Sequence, residues 1–98
     1  MLTRIVRMTF KVEEVEAFIE LFNETKDRIR HFEGCQYLEL MRDYNDECIF
    51  ATYSHWENEE ALNRYRHSEL FGEVWKATKA KFADKPVAFS LKGFIQVD

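Results

Sequence analysis

Both tryptophans of the chain, two of its four tyrosines and two of its three histidines fall between Tyr53 and Trp75, in YSHWENEEALNRYRHSELFGEVW. Tyr65 and His67 are the acid–base candidates. Histidine titrates near neutral pH, and a phenol can donate or hold a proton at a reacting group. The alternative for both is a half-exposed place at a break between helices. Trp56, Phe71 and Trp75 have flat apolar faces that stack planar ligands, and they serve equally as packing anchors. Thr52 lies four residues before Trp56. In a strand the two side chains point the same way, so Thr52 is either a polar pocket group or an ordinary strand threonine. Arg7 either pairs with Glu39 across a sheet or sits at a subunit interface.

Other chemistries find little support. His31, His55 and His67 are scattered without metal-ligand spacing, so no metal is expected. Cys35 and Cys48 form no CxxC motif, and the three glycines make no phosphate loop. No Ser–His–Asp set assembles. Net charge is −4 with mixed signs and no basic stripe, which argues against nucleic acid. No apolar run reaches membrane-spanning length, and MLTRIVRMTF alternates where a signal peptide would be continuously apolar. The expectation is a cytoplasmic protein with reduced thiols.

These residues need elements to hold them. The 98 residues suggest one domain spanning 1–98. Nine Phe, four Tyr and two Trp exceed what a small core needs, so some should line a pocket or a subunit interface. Residues 2–10 have strand period, with Leu2, Val6, Met8 and Phe10 opposed to Thr3, Arg7 and Thr9. Residues 12–32 turn to helical period, with acids at the start, bases at the end and Gly34 as terminator. Residues 35–43 and 48–56 read as an antiparallel hairpin about the polar turn Tyr44–Glu47. Asn58 and Ser68 are N-caps of two successive helices. After Pro86, residues 87–97 read as a last strand.

The order is β-α-β-β-α-β, an α+β ferredoxin-like pattern with a four-stranded antiparallel sheet. Helices cover one face. The other is assigned Leu38, Leu40, Ile49, Ala51 and Tyr53, and a second copy packed there would close a barrel.

The segment FATYSHWENEEALNRYRHSELF (50–71), with HFEGC (31–35), resembles the antibiotic biosynthesis monooxygenase family. The shared features are a strand-ending Trp, an N-cap followed by acids and Ala-Leu, a Ser-led helix start and a glycine turn into the second strand. The resemblance implies a dimeric α+β barrel, a homodimer with a pocket between helices and sheet in each subunit. Some members oxidise polycyclic phenols to quinones with oxygen, using neither metal nor flavin. Others degrade haem. Trp56 occupies the place of the Trp implicated in the quinone-forming members, while their Asn four residues earlier is Thr52 here. Where haem-degrading members carry an axial His, an upstream aromatic residue and an Asn, this chain has Trp75, Tyr65 and Val6. The iron ligand is missing, so no cofactor is expected.

The resulting expectation is a cofactor-independent monooxygenase acting on a small phenol or hydroquinone. Trp56, Thr52, Tyr65 and His67 form its catalytic set, and Trp75, Phe71, Val6 and Met8 bind substrate. The rival is a non-catalytic dimeric binding protein for a small hydrophobic or aromatic metabolite. An isomerase or decarboxylase on the same scaffold is a third reading.

Overall fold

The computed structural model describes residues 1–98. Strand β1 (Leu2–Thr9) leads through a short 3-10 turn (Val12–Glu14) into α1 (Val15–Arg30). Strands β2 (Cys35–Arg42) and β3 (Ile49–Trp56) follow, then α2 (Glu59–Arg66), α3 (Glu69–Lys79) and β4 (Val87–Leu91). The four strands form one antiparallel sheet in the order β2-β3-β1-β4, the ferredoxin-like α+β arrangement.

Local chemistry explains the joints. Arg30 donates to the Cys35 carbonyl at 3.0 Å, tying the end of α1 to the start of β2. Between them Gly34 takes φ +92°, open to glycine at no steric cost. In the hairpin turn the Asp43 carboxylate accepts from the backbone N–H of Asn45 and Asp46, at 3.0 and 2.9 Å. Asn58 accepts from the Ala61 N–H at 2.9 Å and caps α2. Ser68 does two jobs at the helix break. Its hydroxyl donates to the Tyr65 carbonyl at 2.6 Å, closing α2, and accepts from the Phe71 N–H at 3.1 Å, opening α3.

The core sits between the sheet and the helices in two clusters. One joins Met8, Phe10, Val15, Phe18 and Phe50. The other joins Cys35, Trp56, Ala61 and Leu62. Only 13 of 98 residues are buried, so much apolar surface remains for other uses. Tyr37, Met41, Val87, Phe89 and Leu91 are exposed. All lie on strand positions facing away from the helices.

Three sequence expectations change. Leu38 and Leu40 stand opposite Ser54 and Thr52, on the helix side of the sheet and not on the open face. Parity fixes faces within a strand, but which face is which depends on cross-strand register, set here by the six residues of the hairpin loop. The last strand stops at Leu91, where its register reaches Thr3 and β1 has almost no backbone left to offer. Arg7 lies opposite Ala51 and Val87, while Glu39 lies opposite Tyr53 and accepts from the Tyr37 hydroxyl at 2.6 Å. The two do not pair. The single salt bridge of the chain joins Arg28 and Glu73. Cys35 and Cys48 are both free, as expected. No helix is long and apolar enough to cross a membrane.

Candidate active site

Between the sheet and the three helices lies a cavity of about 290 Å³, lined by members of both core clusters. That is near the lower end of the range, ~300 to 1,000 Å³, typical of small-molecule sites. The floor is the helix-facing row of β1 and β3. Arg4, Val6 and Met8 come from β1, and Thr52, Ser54 and Trp56 from β3. They stand together because antiparallel register puts Val6 opposite Thr52 and Arg4 opposite Ser54. The roof comes from α2 and α3, where Leu62, Tyr65 and Arg66 are followed by Phe71, Val74, Trp75 and Thr78. Within each helix, spacings of three and four residues place them on one face.

The aromatic side chains form a continuous run. Trp56 stacks on Tyr65 with ring centres 4.9 Å apart and planes 25° apart. Tyr65 meets Phe71 edge-on at 5.2 Å, and Phe71 stacks on Trp75 at 5.8 Å and 11°. Trp75 then meets Phe82 edge-on at 5.6 Å. Trp56 is 1% exposed and its indole N–H donates to the Ser54 hydroxyl at 3.0 Å. It is both the packing anchor and a wall of the cavity. Trp75 is only half buried and lines the same space.

The polar groups divide into committed and free. Thr78 donates to the Val74 carbonyl at 2.7 Å, and Ser54 donates to the Arg4 carbonyl at 3.5 Å while it accepts from Trp56. The Thr52 hydroxyl and the Tyr65 phenol have no such protein partner. No fully buried side-chain polar atom lacks one, so neither oxygen is wholly buried, and both residues line the cavity. Burial pushes the Tyr65 phenol well above its ordinary value, with Cys35 adding to the shift. Tyr65 is therefore a neutral hydrogen-bond donor around pH 7, not a base.

Seven of the eight residues singled out from sequence line this space: Val6, Met8, Thr52, Trp56, Tyr65, Phe71 and Trp75. His67 does not. It is the exposed C-cap of α2, and its Nδ1 lies 2.8 Å from the Asn63 carbonyl. The ring is held back along its own helix. Twelve further residues join the site, and four of them are polar: Arg4, Ser54, Arg66 and Thr78. Arg4 was legible, since it shares strand parity with Leu2, Val6 and Met8 and is the one cation on that apolar face. No His, Cys, Asp or Glu lines the walls, so haem iron would find no histidine there. No group of three metal-ligating side chains exists elsewhere in the chain.

The model of the antibiotic biosynthesis monooxygenase family matches residues 1–77. The chain belongs to that family. The matched span includes β1 through most of α3, and so nearly every residue of the cavity. None of the curated proteins matches. Among solved structures, an antibiotic biosynthesis monooxygenase superposes with a TM-score of 0.90 at 20% identity, covering 97% of this chain and all of its own. A conserved protein from Methanosarcina mazei Go1 gives 0.87 at 18% identity, covering 94% of this chain and 92% of its own. A protein from Pseudomonas aeruginosa gives 0.83 at 22%, with 96% and 94% covered. At these identities the likeness is one of fold, and the chemistry of this family member rests on its own side chains.

Proposed function

We propose that the chain is a cofactor-independent monooxygenase that oxidises a small phenol- or hydroquinone-type aromatic with molecular oxygen. The observation that carries this reading is the aromatic-walled cavity of about 290 Å³, lined by Thr52 and Tyr65, whose side-chain oxygens are without a protein hydrogen-bond partner. A planar ring lies against Trp75, Phe71 and Tyr65, while Val6 and Met8 close the floor. Thr52 and the protonated Tyr65 hydrogen-bond the substrate oxygen and fix which ring carbon faces oxygen. The substrate anion supplies the electrons. One oxygen atom becomes the new carbonyl, and the other leaves as water with the two hydrogens lost from the substrate.

Two copies packed through the open sheet face form the working unit. Exposed Tyr37, Met41, Val87, Phe89 and Leu91 support that arrangement, since burying such a patch favours association. Light scattering on the purified protein tests it, and a monomer at all concentrations would refute it.

A second reading, a binding protein for an aromatic metabolite, is favoured by one observation. No lining residue is a base at neutral pH, with His67 outside and Tyr65 held protonated. Oxygen consumption separates the two. A ligand that saturates the cavity and drives oxygen uptake, with labelled oxygen in the product, supports the oxygenase. Saturation without uptake supports the binding protein.

A further inference from the structure

The charged groups around the cavity are all of one sign. Of the 19 residues lining it, Arg4 and Arg66 are the only charged ones. In a chain with 18 acids against 14 Lys and Arg, two cations without a carboxylate are not what composition would place there. Neither guanidinium is paired, because the one salt bridge lies on the outer surface between Arg28 and Glu73. Arg4 is half buried on the floor and spends one N–H on the Ser90 hydroxyl at 3.1 Å. Arg66 is exposed at the last turn of α2 and stands at the cavity mouth. Burial, and then the charge of Arg66, pull the Arg4 pKa down from its ordinary value.

Two like charges on the walls of one apolar cavity are unfavourable until an anion enters. A guanidinium offers five N–H donors in a planar fork, suited to a carboxylate or a phenolate oxygen. The other walls are rings and aliphatic chains. We infer that the ligand of this cavity is an aromatic anion, a ring bearing a carboxylate or an ionised phenol, whose negative oxygen is held by Arg4 and Arg66. This rests on the reading of the cavity as an aromatic-ligand site and names the charge that its ligand carries. It also supplies what the walls lack. With no base present, the two cations stabilise an ionised phenol directly and the proton leaves to solvent at the mouth.

The test is titration of Trp75 fluorescence in the full chain with a matched pair, 2-naphthoate and the neutral 2-naphthamide. Arg66→Gln and Arg66→Glu alter a solvent-exposed side chain and leave the core intact, and Arg4→Gln is checked for folding by circular dichroism. The naphthoate is expected to bind about tenfold or more tighter than the amide. The preference should shrink in Arg66→Gln and in Arg4→Gln and reverse in Arg66→Glu. Raised salt should weaken the naphthoate alone. Equal binding of acid and amide, or a preference untouched by both Arg66 substitutions, overturns the inference and leaves the aromatic site standing. Failure of both compounds to bind overturns the aromatic site and the inference together.

Discussion

Gly34→Ala should cost the protein a large share of its stability, for two separable reasons. Gly34 has φ +92°, where a Cβ is strained by ~1–2 kcal/mol. A Cβ there would also run into the Ala61 methyl at the start of α2. Forcing that extra carbon into a packed joint costs ~1–3 kcal/mol. The turn cannot swing aside, because the Gly34 carbonyl accepts from the Glu57 N–H at 2.8 Å and Cys35 N–H is bonded to the Phe32 carbonyl at 2.9 Å. The sum is ~2–5 kcal/mol, against a total stability of ~5–15 kcal/mol for a domain of this size. Urea unfolding followed by circular dichroism measures it, with the midpoint falling and the slope unchanged. The two causes separate in a double-mutant cycle. Ala61→Gly alone destabilises by about 1 kcal/mol through helix propensity. In the Gly34→Ala background it should restore the steric part and leave the backbone strain. Tyr65 lies one turn beyond Ala61 on α2, so Gly34→Ala should also weaken ligand binding. A Gly34→Ala protein within ~0.5 kcal/mol of the parent, or a cycle without coupling, would refute this account of the joint.

Tyr65 makes a prediction about alkaline pH. Its phenol is raised in the folded state, so the folded chain holds that proton more tightly than the unfolded one. Its contribution to stability is complete below the unfolded phenol value of ~10 and is lost as pH climbs above it. Tyr65→Phe should flatten that alkaline loss, and an unchanged stability–pH curve would argue against a buried phenol. Trp56→Phe should cost ~1–3 kcal/mol by leaving a void and an unfilled Ser54 hydroxyl, whereas Trp75→Phe should change stability little and remove most ligand-dependent quenching. Thermal melts and fluorescence titrations of the two variants check both, and quenching that follows Trp56 would be the contrary result. His67→Ala should leave ligand affinity within twofold of the parent, given that the ring is held at the Asn63 carbonyl outside the cavity; a loss of about tenfold would show that His67 reaches the ligand.

Much of this was legible in the sequence because the determinants are local. The switch from period two to period 3.6 after Phe10, the Asn58 and Ser68 caps and the polar turn after Asp43 each act within a few residues, and each marks a joint seen in the fold. Seven of the eight singled-out site residues line the cavity because strand parity and helical spacing already put them on common faces. The rest depended on long-range geometry. Which face of β2 meets the helices is set by its register with β3, so Leu38 and Leu40 could not be placed from their own alternation. The end of β4 is fixed by where β1 begins, 80 residues away or more in sequence. His67 is turned away by a bond to a backbone carbonyl of its own helix, which its residue type does not announce. Arg66 reaches the mouth only because α2 folds down over the sheet.

Oxygen uptake by the purified protein, with naphthohydroquinones and anthrones offered in turn and no metal or flavin added, tests the central claim most directly. Saturable uptake is expected with at least one of them, with one labelled oxygen atom in each quinone formed and no hydrogen peroxide released, and with loss of the rate in Trp75→Ala. Saturable quenching of Trp75 by these compounds with oxygen consumed no faster than in protein-free buffer would contradict it.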